Sequence, residues 1–137
     1  MRDFTPAFRH LLPLLFSFAV LFTTGCSSGK PGFGQKGYTE SGKASYYSNK
    51  LAGNKMANGQ RYRPGKRTAA HKKLPFGTKV KVTNPTTGKS VKVRITDRGP
   101  FVSGRILDLS MSAARKLDLV KSGVAPVQMK VLKPVKR

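Results

Sequence analysis

Two acids and one histidine carry most of the chemistry open to this chain. Asp97 and Asp108 fall in RITDRGPFVSGRILDLS (Arg94 to Ser110), and they are two of only five acidic residues among 27 Lys and Arg. His71, in TAAHKKLPFGT, is one of two histidines. Carboxyl and imidazole groups exchange protons at accessible pH, so acid–base catalysis is the chemistry to weigh. Each residue also has a structural reading. Asp97 ends a strand-like run before Arg-Gly-Pro, where an Asp can accept backbone N–H bonds in a turn. Asp108 precedes a helical pattern, and a bracing role is expected for it, with Arg105 or the first-turn N–H groups of that helix as partners. His71 precedes a Pro-containing turn and suits a bond to neighbouring backbone equally well.

Other chemistries are poorly served. One His in the folded part, a single cysteine and scattered carboxylates offer no ligand set with recognisable spacing, so neither a metal nor another cofactor is expected. Cys26 lies in a tether-like segment or is acylated, which excludes Cys–His nucleophilic catalysis, and a lone cysteine excludes an internal disulfide.

The elements that must position these groups follow a two-residue period. KASYYS reads as a first strand. KVKVTN puts Val80 and Val82 on one face, SVKVRI does the same with Val91, Val93 and Ile95, and VQMKVL with Val127, Met129 and Val131. NPTTGK is a turn. RILDL is a short apolar strand, and Ser110 is placed to cap the one convincing helix, MSAARKLDL, whose Ala113, Ala114 and Leu117 share a side. Short strands, Gly/Pro turns and one short helix predict a mainly β fold, a small closed barrel.

Arg2 and Arg9 precede the apolar run Leu11 to Phe22, which is short for a membrane span and suits a signal peptide over residues 1–25. TTGC ends at Cys26 and resembles a bacterial lipobox, with Thr23 where that pattern usually has Leu. Lipidation of Cys26 is therefore expected, the alternative being ordinary cleavage near Gly25. Ser27 after the cysteine favours the outer membrane, facing the periplasm. Residues 26–42 are rich in Gly, Ser and Lys and read as a flexible tether, and the folded domain is expected over residues 43–134. The formal net charge is +22. So high a charge points to an anionic partner, and export argues against nucleic acid. Peptide carboxylates of peptidoglycan and phosphates of lipopolysaccharide or teichoic acids are the envelope anions available. The other reading of the charge is solubility alone.

GKASYYS, MANGQRY, TAAHKKLPFGT, VKVRITDRGPF and GRILDLSMSAARKL, in this order, resemble the rare lipoprotein A (RlpA) family of septal-ring lytic transglycosylases, over about residues 42 to 133. The resemblance implies a six-stranded double-psi β-barrel with one or two short helices. It implies non-hydrolytic cleavage of peptidoglycan between MurNAc and GlcNAc, leaving 1,6-anhydroMurNAc ends. One group first protonates the glycosidic oxygen and then, as a base, helps the MurNAc 6-hydroxyl attack. By resemblance Asp97 and His71 are catalytic, and Gln60, Asn58, Tyr62 and Arg98 bind the glycan. Gln60 stands where the family has an acid. A Gln bonds a sugar hydroxyl or acetamido group but exchanges no proton, so acid–base chemistry falls on Asp97. The alternative is a peptidoglycan-binding barrel without activity. Expected partners are glycan strands and, through Cys26, a membrane; a monomer is expected. No SPOR domain is expected after the barrel, and the Lys-rich surface is expected to supply wall adhesion instead.

Overall fold

The alternation in KVKVT, SVKVRITD and APVQMKVLK becomes three neighbouring strands in the computed structural model, which describes residues 29–136. The chain runs β1 (Thr39–Tyr46), β2 (Thr68–Ala70), β3 (Lys79–Thr83), β4 (Ser90–Asp97), β5 (Arg105–Leu109), α1 (Met111–Lys116) and β6 (Ala125–Lys133), with a 3-10 turn at Asn49–Leu51. The six strands close into a barrel in the order β1-β5-β2-β4-β3-β6. Closure leaves no unpaired sheet edge. Two of the pairs, β1 with β5 and β2 with β4, are parallel, and the others are antiparallel.

Register turns the sequence pattern into a core. Val80 pairs with Val93 on one side and Val131 on the other, and Val82 with Val91 and Met129. These side chains, with Ile95, Leu107 and Leu109, are almost wholly buried. Each contributes about 1.5–3 kcal/mol of transfer free energy, against the entropy of ordering the chain. Ala113 and Ala114 of α1, with Leu117 just after it, join the same cluster. The NPTTGK turn is tied to it, because the buried Asn84 accepts from Thr86 N and donates from Nδ2 to Leu117 O at 3.0 Å.

Three details depart from expectation. First, β1 starts at Thr39, inside the segment read as tether, and Gly37 and Tyr38 already bond to Val131. Residues 37–42 have little apolar alternation, so their place comes from pairing with β6 rather than from pattern. Gly42 is required there, since a Cβ would lie 2.6 Å from Ile106 Cγ2 on β5. Second, α1 stops at Lys116, and Asp118 takes a positive φ of 52°. Third, Ser110 occupies the N-cap position but its hydroxyl accepts from Thr68 N on β2 instead of capping the helix. Cys26 and residues 1–25 lie outside the described residues.

Candidate active site

The MANGQRY segment folds back on itself and docks on the end of β4. Met56 N donates to Gln60 O at 2.7 Å, and Gly59, at φ 87°, makes the turn between them. Asn58 N donates to Thr96 O, and Ala57 N donates to Asp97 Oδ1 at 2.8 Å. Asp97 Oδ1 also accepts from Arg98 N at 2.9 Å, and its Oδ2 accepts from the Tyr47 hydroxyl at 3.0 Å. Asp97 is thus both a structural anchor and a cleft-lining group. It holds the loop, and its half-buried carboxyl group lines a cleft of about 190 Å³ with Tyr47, Leu51, Asn54, Lys55, Met56 and Tyr62.

The arrangement tells the two oxygens apart. Oδ1 already receives two backbone N–H groups. Oδ2 receives one hydroxyl, which leaves it with acceptor capacity for a proton or a substrate group. Burial, first, and then the Asp97 charge and its hydrogen bond push the Tyr47 hydroxyl far above the usual phenol range, so Tyr47 stays a donor. The Asp108 charge adds to that rise, which puts both acids of the motif within electrostatic reach of Tyr47.

Gln60 and Asn58 stand beside this cleft. Asn58 Nδ2 donates to Gln60 Oε1 at 3.2 Å, and Asn58 Oδ1 accepts from Gln60 N. The exposed Gln60 lines an adjoining pocket of about 340 Å³ that shares Met56 with the Asp97 cleft and is otherwise rimmed by Arg61, Arg63, Lys66 and Thr68. Gln60 is the amide that lines this pocket, and Asn58 holds it there through the two bonds between them.

The other residues expected at the site are arranged differently. The His71 side chain is buried and engaged at both nitrogens. Nδ1 accepts from Lys73 N and Leu74 N, and Nε2 lies 3.2 Å from Glu40 Oε2. Two donors on Nδ1 require the proton on Nε2, which it donates to Glu40. Burial, outweighing the Glu40 charge, holds His71 below its ordinary pKa of 6.5 and keeps it neutral. Its side chain lines a different pocket, with Tyr38 and Glu40, although His71 N donates to Asp97 O through the backbone. In this structure the imidazole and the Asp97 carboxyl group line different pockets, and the imidazole braces the turn after β2.

One nitrogen of the Arg98 guanidinium is committed to the fold. It donates to His71 O and Leu74 O, and the guanidinium lies 3.8 Å above the Phe76 ring. Tyr62 is 3% exposed; its hydroxyl accepts from Met111 N, and its ring packs edge-on to Tyr47. It walls the cleft without offering its hydroxyl. Asp108 accepts from Ser45 on β1 at 2.6 Å and lies 3.7 Å from Arg105 Nε, so its main partner is a paired strand and not the helix. Glu40 and Tyr47 are the site residues that sequence reasoning passed over. Tyr47 lay inside a quoted motif, while Glu40 was placed in the tether.

The family model described as lytic transglycolase matches residues 39–129. Among curated proteins, the endolytic peptidoglycan transglycosylase RlpA of Vibrio cholerae is 52% identical over 74% of this chain and 40% of its own length. The probable one of Nostoc is 55% identical over 66% of this chain and 25% of its own. The chain therefore spans less than half the length of these relatives. Among solved structures, a Clavibacter michiganensis expansin aligns with TM-score 0.57 and 25% identity, covering 73% of this chain and 53% of its own. A Streptomyces papain inhibitor aligns with TM-score 0.57 and 23% identity, covering 72% of this chain and 97% of its own. With the family model spanning β1 to β6 and RlpA proteins as relatives at about half identity, the chain belongs to the lytic transglycolase family and carries its double-psi β-barrel.

Proposed function

We propose that this barrel is a lytic transglycosylase that cleaves peptidoglycan between MurNAc and GlcNAc. The observation that carries the reading is the held Asp97 carboxyl group at an open cleft, with Oδ2 the oxygen that has room for a proton. In the reaction, protonated Asp97 gives its proton to the glycosidic oxygen as the C1–O bond breaks. The carboxylate so formed takes the proton of the MurNAc 6-hydroxyl as that oxygen attacks C1, closing the 1,6-anhydro ring. One carboxyl group serves both steps, so no second acid is required. Asn58 and Gln60 hold sugar groups beside the scissile bond. Tyr47 orients Oδ2; His71 and Arg98 fix the turn behind the strand end. The relatives' name, endolytic peptidoglycan transglycosylase, supports this reading.

Gln60 favours a second reading, a barrel that binds glycan without cutting it, because it puts a neutral amide where the family has an acid. Product analysis separates the two: anhydro-ended fragments require the enzyme, and retention on sacculi without fragments requires only the binder. We further propose lipid attachment at Cys26 and an outer-membrane position facing the periplasm. Cys26→Ser then moves the protein from the membrane to the soluble fraction, and unchanged fractionation contradicts the anchor.

A further inference from the structure

The outer face of β3, β4 and β6 carries cations directly opposite one another. Lys79 pairs with Arg94 and Lys133, and Lys81 pairs with Lys92 and Lys130, all six exposed. Side chains at paired positions stand about 4.5–5.5 Å apart at Cβ, and like charges there destabilise the sheet. No acid compensates on these strands' outer positions, and among the described residues no salt bridge reaches any of the six. A charged face used only for solubility gains nothing from stacking one sign in register.

The face is also continuous with the cleft. Two shallow pockets of about 440 Å³ lie on it, and Arg67 lines both. Lys66 and Thr68, on either side of Arg67, line the Gln60 pocket, which in turn shares Met56 with the Asp97 cleft. Cations therefore run from the cleft to the barrel wall.

We infer that this wall is a docking surface for the stem-peptide carboxylates of peptidoglycan, holding the domain on intact wall while the cleft engages a glycan strand. The choice of partner rests on the peptidoglycan reading above. The cations form a grid, one pair across neighbouring strands and the next about 6.6–6.8 Å along each strand. A peptide carries several carboxylates close together and can engage such a grid. A bare glycan strand carries one lactyl carboxylate per disaccharide, in single file. A membrane-binding face would combine cations with apolar side chains that insert. The exposed large apolar residues, Phe33, Leu51, Phe101, Val102, Val124 and Val135, all lie outside β3, β4 and β6.

The test is sedimentation of the full chain, in mild detergent, with four probes: intact sacculi, sacculi with amidated carboxyl groups, amidase-stripped sacculi, and phosphatidylglycerol vesicles. The triple variant Lys79→Gln/Lys81→Gln/Lys92→Gln is compared with wild type. The expected results are binding to intact sacculi about tenfold or more weaker in the variant, loss of wild-type binding on amidation, and a melting temperature raised by a few degrees as like charges separate. Equal binding of variant and wild type, or indifference to amidation, overturns the proposal. Equally tight, variant-sensitive binding to stripped sacculi overturns the peptide source in favour of lactyl groups. Tighter variant-sensitive binding to vesicles overturns it in favour of a membrane. Anhydro-product formation on soluble stripped glycan, read in parallel, is expected to be unchanged by the triple variant. Its absence in wild type, with amidation-sensitive binding intact, defeats the transglycosylase reading alone.

Discussion

His71 Nε2 lies 3.2 Å from Glu40 Oε2 while Nδ1 accepts two backbone N–H groups, so the imidazole has no nitrogen left for a glycan. The pair joins the start of β1 to the turn after β2, and through His71 N the same turn meets the end of β4, where Asp97 stands. His71, which resemblance places among the catalytic groups, meets Asp97 in this structure through its backbone N–H.

His71→Ala leaves Lys73 N and Leu74 N without an acceptor and Glu40 with the Tyr38 hydroxyl as its remaining donor. A loss of about 2–4 kcal/mol in unfolding free energy is expected. His71→Asn keeps an acceptor at the Nδ1 position and should recover about half of that loss. Denaturant melts with single-turnover cleavage check this: activity per folded molecule in His71→Asn stays near wild type. A collapse of activity in a fully folded His71→Asn would make the imidazole itself catalytic.

The same burial sets a pH dependence. His71 is held below 6.5 in the folded chain, so the unfolded chain binds the proton first as pH falls. Its share of stability is complete above pH 6.5 and is lost progressively as pH falls below it. Urea melts at several pH values should show this slope in wild type and a flatter one in His71→Asn. An equal slope in both would move the origin elsewhere.

Tyr47→Phe removes the one donor on Asp97 Oδ2 and keeps the ring packed against Tyr62. The expected cost is about 1–2 kcal/mol in stability. We expect kcat to fall by about tenfold with little change in KM, because the hydroxyl orients the reacting oxygen without touching distant sugars. A change confined to KM would assign Tyr47 to binding instead.

The barrel was legible in residues that alternate. Val80, Val82, Val91, Val93, Val127, Met129 and Val131 report their face through a two-residue period, and all are buried in that register. The first half of β1 was not legible, because Thr39–Lys43 has no apolar residue and owes its place to β6. Of the site, the strand end at Asp97 and the docked MANGQRY loop follow local turn chemistry. The partners do not. Tyr47 meets Asp97 across 50 residues and Glu40 meets His71 across 31, and such contacts exist only once the barrel closes. The Arg98 contacts were not legible for the same reason: one guanidinium nitrogen reaches the carbonyls of His71 and Leu74, more than twenty residues away.

Gln60→Glu adds a carboxyl group to the pocket adjoining Asp97, at the edge of a strongly basic rim. If Gln60 is the element that limits this chain, kcat/KM rises by about tenfold or more, within the usual range for one acid–base group. Steady-state release of anhydro-muropeptides measures it. No gain, with the wild type active, would show that Asp97 suffices and that Gln60 serves binding only.

Asp97 carries the central claim, and product analysis tests it most directly. Wild-type protein and Asp97→Asn are incubated with purified glycan strands, and the fragments are read by mass spectrometry, with a thermal melt of each protein alongside. Asn keeps the side-chain oxygen that Ala57 N and Arg98 N require, so the variant is expected to stay folded. Wild type should release 1,6-anhydroMurNAc-ended fragments, and Asp97→Asn should lose about 10²–10⁴-fold of that rate. Anhydro product from folded Asp97→Asn at the wild-type rate, or none from wild type that still binds glycan, would contradict the account.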